Sequence, residues 1–249
     1  MTNPLRLVVI SLALFANYAS AQARQNNAVP VLERSIAAMG GNAWQSVGAA
    51  TAEVTVAMSD GLAPTTGKWS DDWSSGQVYS RREWTGAQGK LVRLSDDRQA
   101  VTYANSASPK VSSPDYDLVN IALTFPAVAL RLGLSRATCS FYDHISSQTK
   151  QEVIFQLCAS QFYPNKQVLL KWIFDPSSGL PISLEFPVLG RDGSVVSQIA
   201  RFKQFESSDG LRFPSAVDIT QVMTRHTRTL TFTETQFHSA LDKSEFSIH

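Results

Sequence analysis

The first things missing from this sequence are catalytic signatures. It contains no H-E-x-x-H, no G-x-S-x-G, no G-x-G-x-x-G and no Walker-type glycine loop. Histidine is scarce: His144, His226 and His238 stand singly on predicted strands, and His249 ends the chain. None has a His or Cys partner at ligand spacing, so no metal site is expected. Asp143 and His144 are adjacent, but strand neighbours point to opposite faces and cannot share a proton. The acidic pairs Asp71-Asp72 and Asp96-Asp97 fall at strand ends or turns, where Asp is favoured for local hydrogen bonding. An enzyme is therefore not expected, and no cofactor is implied.

A charge of one sign is missing too. The chain carries 22 Lys and Arg against 21 Asp and Glu, with no basic cluster beyond the pair Arg81-Arg82. That balance excludes the electrostatic footprint of a nucleic-acid binder or of a protein held on anionic membrane. No Gly/Ser- or Pro-rich linker divides the chain, so one domain is expected over residues 22–249. No apolar run is long enough to span a bilayer. The apolar run near the start, Leu7 to Phe15, is too short for that; it follows Arg6 and precedes Ala19-Ser20-Ala21, the pattern of a cleavable signal peptide over residues 1–21. A second cleavage site is Ala21-Gln22-Ala23, and the competing reading is a buried N-terminal helix. With no cysteine near that site, a lipidated N-terminus is not expected.

Only two cysteines are present. In an exported protein, two suggest a disulfide. The apolar runs Thr138 to Ile145 and Glu152 to Ala159 flank a turn at Ser146 to Gln151. If Ser147 faces Lys150, antiparallel pairing sets Cys139 opposite Cys158, within bridging range. Register can slip, which leaves two buried free thiols as the alternative. No C-x-x-C spacing marks a redox pair.

What the sequence does have is strands, with one interruption. A short helix is predicted from Pro30 to Gly40-Gly41, with Asn42 capping a further turn that carries Trp44 and Val47. Predicted strands then follow one another through hairpin signals such as Asp192-Gly193 and Asp209-Gly210. Val168 to Phe174 is apolar except at Lys171, which predicts a strand covered on both sides. Pro181 and Pro187 share one face of the next strand and predict an edge or an unpaired side. Thr227, Thr229, Thr231, Thr233 and Thr235 share one face of the last long strand, opposite Leu230 and Phe232. The interruption is Asp115 to Leu134, apolar on nearly every side of a helical wheel. Pro126 divides it into two short helices, and Gly133 is read as the stop.

The expected fold class is thus mainly β with helices (α+β). It is an open, strongly curved antiparallel barrel of about 10–11 strands, with an N-terminal helix and a helical lid or plug inserted mid-sheet. A transmembrane barrel is the weaker rival, because the apolar insert has no place in one. Aromatic and aliphatic groups are in surplus on the strands, Trp73 and Trp84 among them. Either they fill a core, or they line a hollow under the insert. On the second reading Trp69, Trp172, Phe174, Leu184 and Phe186 face Val119, Ile121, Leu123, Phe125 and Leu130 across an apolar cavity that takes an acyl chain. One of Arg81 and Arg82 must point inward whatever the register. Arg82 is included as the group that holds the lid or a lipid head.

Several short motifs carry a resemblance. Ser95-Asp96-Asp97 followed by Tyr103 resembles the S-D-G…Y element of periplasmic outer-membrane lipoprotein carriers, the LolA/LolB-like superfamily. Phe174-Asp-Pro-Ser-Ser-Gly179-Leu-Pro181 is similar to that group's D-P-x-x-G-L-P turn, and Phe237 to Phe246 to its closing segment. The sequence departs from the pattern at Asp97, at Ala104 and at Ser80, which stands where the carriers have Arg. The resemblance implies an unclosed barrel lidded by helices, a periplasmic location in a Gram-negative-type envelope, and a non-enzymatic binder of a lipid or lipid-modified protein. It implies a monomer outside the membrane, with an acyl chain or lipoprotein as partner and no nucleic acid. The alternative on the same fold is an envelope interaction or stress-sensing module with a filled core.

Overall fold

The computed structural model describes residues 27–86, 89–96, 99–104, 108–112, 117–145, 151–159, 167–189 and 194–247. The predicted leader and the turn between the two cysteine strands lie outside them. Helix α1 includes residues 27–38, so helix replaces the loose lead-in expected before Pro30. Pro30 is tolerated because first-turn N–H groups have no intrahelical partner in any case. Tertiary burial fixes the early start: Ala28 is fully buried along with Leu32 and Met39. A 3₁₀ turn, Gly41–Gln45, then carries Trp44 inward. Asn42 lies inside this turn and accepts from Gln45; no side chain caps it.

Among the described residues thirteen strands follow: β1 Ala49–Met58, β2 Thr65–Asp72, β3 Tyr79–Gly86, β4 Gly89–Ser95, β5 Ala100–Ala104, β6 Lys110–Ser112, β7 Cys139–Ile145, β8 Glu152–Ala159, β9 Gln167–Phe174, β10 Pro181–Leu189, β11 Val195–Ser208, β12 Leu211–Gln221 and β13 Thr227–His238. They form one antiparallel sheet in the order β6-β5-β4-β3-β2-β1-β13-β12-β11-β10-β9-β8-β7. The count exceeds the expected 10–11, and β6 is one strand the sequence conceals. Its three residues sit in a polar stretch and are held only by pairing with β5.

The topology is a meander cut open in the middle. First and last strands pair at the centre, and among the described residues the two edges are β6 and β7. The helical insert lies between β6 and β7 in sequence, so it carries the chain from one edge of the sheet to the other. It is two helices, α2 Asp117–Thr124 and α3 Pro126–Ser135. Pro126 has no N–H to continue α2, and the Phe125 carbonyl accepts from Val128 and Ala129 to start α3. Gly133 is not the stop; α3 runs past it to Ser135. A Cβ there would come 2.8 Å from Gln156 Nε2 and 3.0 Å from Phe141 Cζ, so glycine lets the helix lie close on β7 and β8.

Bulges bend the sheet. In the β1–β13 pairing the register slips between Thr51 and Glu53, and Glu234 adopts φ of 52°. The slip reverses the inside–outside parity of β13. Leu230 and Phe232 are buried before it, and Phe237 rather than Gln236 turns inward beyond it. The threonine row accordingly keeps its outward face only as far as the bulge. Strand β10 is internal, not an edge. Its prolines are accommodated because Pro181 starts the strand and Pro187 lies beyond the last pair with β9, Glu185↔Lys171. Strand β9 is covered on one face only, with Leu169 47% exposed. The cysteine register is as expected, Cys139 opposite Cys158, and the two form a disulfide.

Candidate functional site

The insert meets the concave face in two different ways. At the end where β1 begins, Phe125 enters a cluster of Trp44, Trp73, Phe213 and Phe237, with ring centroids 5.6 to 6.3 Å away. Trp44 and Trp73 donate their indole N–H groups to the carbonyls of Met39 and Val47, so this plug leaves no orphaned donor on either ring. A hollow of about 420 Å³ lies outside it, lined by the 3₁₀ turn and by Val128, Arg131 and Leu132 of α3.

Toward the other end, where β1 runs out and β13 begins, the insert does not fill the space. A cavity of about 290 Å³ opens there. Its wall is Val56 of β1, Trp69 of β2, Ser80, Arg82 and Trp84 of β3, Arg93 and Ser95 of β4, Arg228 and Leu230 of β13, and Asn120 and Leu123 of α2. Alternation explains the set: Ser80, Arg82 and Trp84 are every second residue of β3, as Arg93 and Ser95 are of β4. The volume is near the lower bound of small-molecule sites, about 300 Å³.

Arg82 is the inward member of its pair. It donates to both oxygens of Asp71 at 2.7 and 3.0 Å and to the Ser70 carbonyl at 3.1 Å, and its guanidinium lies 4.3 Å from the Trp69 ring centroid. Asp71 is 1% exposed and also accepts from Ser80 at 2.7 Å. Both Asp71 contacts come from one guanidinium nitrogen, Nη2, and this buried, hydrogen-bonded pair satisfies the condition under which a charge is tolerated away from water. Arg82 therefore braces β2 against β3 and makes no bond to the insert. Arg81 points outward into a group with Glu83 and Lys90. Burial pushes the Glu83 carboxyl up, but hydrogen bonds from Lys90 and Arg81 outweigh it and leave the group below its ordinary value.

Three of the eleven residues expected at a ligand site, Trp69, Arg82 and Leu123, stand on the cavity wall. The other eight are buried members of the apolar cluster on the concave side. Val119, Ile121, Leu130, Leu184 and Phe186 are at most 6% exposed, and Phe125 belongs to the plug. Trp172 stacks between Phe174 and Phe202 and donates to Gln156, whose amide reaches the Cys158 sulfur at 3.2 Å. Arg93, Arg228, Asn120 and Ser80 were not foreseen. A signal for one of them was present: pairing Gly86 with Gly89 sets Arg93 directly opposite Arg82.

The resemblance motifs also find places. Ser95 ends β4 on the cavity wall, and Asp96 accepts from the Gln99 N–H in the turn to β5. Asp97 lies outside the described residues. Asp175 accepts from Ser177 and Ser178, and Gly179 at φ of 74° closes that turn. Asp72 accepts from Ser74 and reaches across to the Leu241 N–H, while Phe246 packs on Tyr79. His226 is exposed, His238 lies 3.5 Å from the Thr51 hydroxyl, and the side chain of His144 and all of His249 lie outside the described residues.

No protein-family model matches the chain, and neither does any curated protein. Solved structures do. A putative outer membrane lipoprotein-sorting protein domain from Vibrio parahaemolyticus superposes with a TM-score of 0.58 at 11% identity, covering 89% of this chain and 97% of that one. A LolA superfamily protein from Nitrosomonas europaea gives 0.53 at 13% identity, covering 89% and 97%. The fold is LolA-like. A DUF1329 family protein from Desulfovibrio piger shares it, with a TM-score of 0.56 at 8% identity over 88% of this chain and 97% of that one. Identities this low establish the LolA-like architecture and leave function to the site itself.

Proposed function

We propose that this protein is an exported, non-enzymatic binder that carries a lipid, or the acyl chain of a lipid-modified protein. The observation that carries this reading is the hollow between α2 and the concave face of a LolA-like sheet. Among the described residues the sheet is left open at β6 and β7, and the insert that crosses the gap is the natural moving part. Trp69, Trp84, Val56, Leu123 and Leu230 supply the apolar lining. The disulfide supports an oxidising compartment, and the periplasm is the location that suits a LolA-like carrier with the predicted leader. Among the described residues no helix is long and apolar enough to cross a membrane. The protein acts as a monomer, taking up its guest from a membrane or a partner.

Lipid extraction and mass spectrometry on gently purified protein test this. A co-purifying amphiphile is expected. Finding none, together with no thermal protection by added acyl ligands, would overturn the reading.

One observation favours the alternative, an envelope interaction module: the aromatic plug around Phe125 closes one end of the concave face. Leu123→Asp separates the two. A carrier loses uptake while still folding, because the new carboxylate faces a hollow beside arginines. A filled-core module mainly unfolds.

A further inference from the structure

Among the described residues seven large apolar side chains are exposed, and five of them gather at one end of the sheet. Leu62 stands in the turn from β1 to β2, and Val222 and Met223 stand in the turn from β12 to β13. Met58 ends β1 and Val195 begins β11. The remaining two, Val111 of β6 and Leu169 of β9, lie elsewhere on the sheet. A single exposed apolar residue is ordinary, whereas a group of them marks a contact surface. Met223 at 80% and Leu62 at 66% are the most exposed of the seven.

Neighbouring strands and backbone bonds hold the five together. Strands β2, β1, β13, β12 and β11 are consecutive in the sheet, so their turns adjoin. The Ser59 N–H donates to the Thr227 carbonyl at 2.9 Å and ties the first turn to the start of β13. The Val222 N–H donates to the Ser197 carbonyl at 3.0 Å and ties the second turn to β11. Met58 pairs with Arg228, which lines the hollow, so this apolar ridge borders the hollow. The opposite end is different. Among the described residues its turns expose no large apolar side chain, and Trp73 and Val78 after β2 are buried.

The chemistry of the ridge selects its partner. The charged residues of turns 59–64 and 222–226 are Asp60 and Arg225, which cancel. Binding to anionic lipid draws on clustered lysine and arginine, so this balance suits an uncharged surface. Methionine is unbranched and adaptable, and it needs no partner of fixed shape. Apolar side chains beside polar backbone settle at the boundary between head groups and acyl chains. We infer that Met58, Leu62, Val195, Val222 and Met223 dock this protein on a bilayer of zwitterionic lipid, with the hollow brought to the membrane surface. The docking surface rests on the lipid-binding reading above for its use, but not for its residues.

The test is flotation of the full mature chain with phosphatidylcholine vesicles, alongside calorimetric titration with dodecyl maltoside in solution. The wild type is expected to float with the vesicles. Leu62→Asp and Met223→Asp should each lower the bound fraction roughly threefold or more, and the double variant should stay unbound, as lost apolar burial requires. Leu169→Asp, on an exposed position away from the ridge, should float like the wild type. Thermal midpoints of all these variants should match the wild type, because surface positions carry little packing. Maltoside binding should survive in the double variant, since neither residue lines the hollow. Wild type that binds maltoside but stays off vesicles overturns the inference and leaves the lipid-binding reading standing. Equal flotation of wild type and double variant, or equal loss in Leu169→Asp, also overturns it. A wild type that stays off vesicles and sediments as a dimer, which Met223→Asp dissociates, overturns it in favour of a second copy. Failure to bind either vesicles or maltoside removes both.

Discussion

Two residues of the same insert, Leu123 and Phe125, meet two different environments. Phe125 closes a plug of five aromatic rings at one end of the concave face. Leu123, less than a turn earlier, borders a hollow ringed by arginines. Neither is more apolar in any useful sense, and both are at least 95% buried. The difference lies in what the sheet offers each of them. At the plug the β13 bulge brings Phe237 inward, and the 3₁₀ turn brings Trp44 over it. At the hollow end the facing strands carry serine and arginine. Low exposure therefore does not distinguish a filled core from a lined cavity, and partner identity does.

The largest effect expected is at the plug. Phe125→Ala should cost about 3–5 kcal/mol in urea denaturation, since a buried aromatic leaves a cavity that four rings cannot refill. Asp71→Asn comes next, at about 3 kcal/mol, because it leaves the Arg82 guanidinium buried without its counter-charge. Leu123→Ala should cost less, about 2 kcal/mol at the lower end for such truncations, because part of its surface already faces space. If Leu123→Ala proves as costly as Phe125→Ala, the two ends are packed alike and the comparison fails.

The smallest effect lies away from both ends, in the turn after β9. Backbone and side-chain hydrogen bonds from Ser177 and Ser178 hold the Asp175 carboxyl at about 2, below its ordinary 3.8. A carboxylate depressed in the folded state stabilises fully above pH 3.8, and the contribution is lost as pH falls through about 2. Thermal midpoints measured between pH 4 and pH 2 should fall slightly more steeply for the wild type than for Asp175→Asn, while the behaviour of the plug and the hollow is unchanged.

Much of the frame is legible in the residues. The cysteine hairpin was readable as one of its possible registers: facing Ser147 with Lys150 sets Cys139 opposite Cys158, and that cysteine pairing is the one found. Pro126 announced the break between α2 and α3, since no proline continues a helix. Alternation alone required one arginine of the pair to point inward. What escaped was whatever depends on a distant partner. Strand β6 has no pattern of its own, and Gly133 looks like a stop until Gln156 and Phe141 are seen beside it. Asp71 looked like a turn residue until Arg82 crossed to it from the next strand.

The sequence by itself determined the local grammar: strands by alternation, breaks by proline and glycine, the bridge by register, and a greasy insert where strands should be. These follow from the stereochemistry of neighbouring residues. Which parts of the concave face are filled and which are empty was decided only in three dimensions. That outcome depends on a bulge reversing the parity of β13, on two edge strands left unpaired among the described residues, and on arginines from three separate strands converging on one space. Packing is a property of the facing surfaces together, and no single stretch of chain contains both.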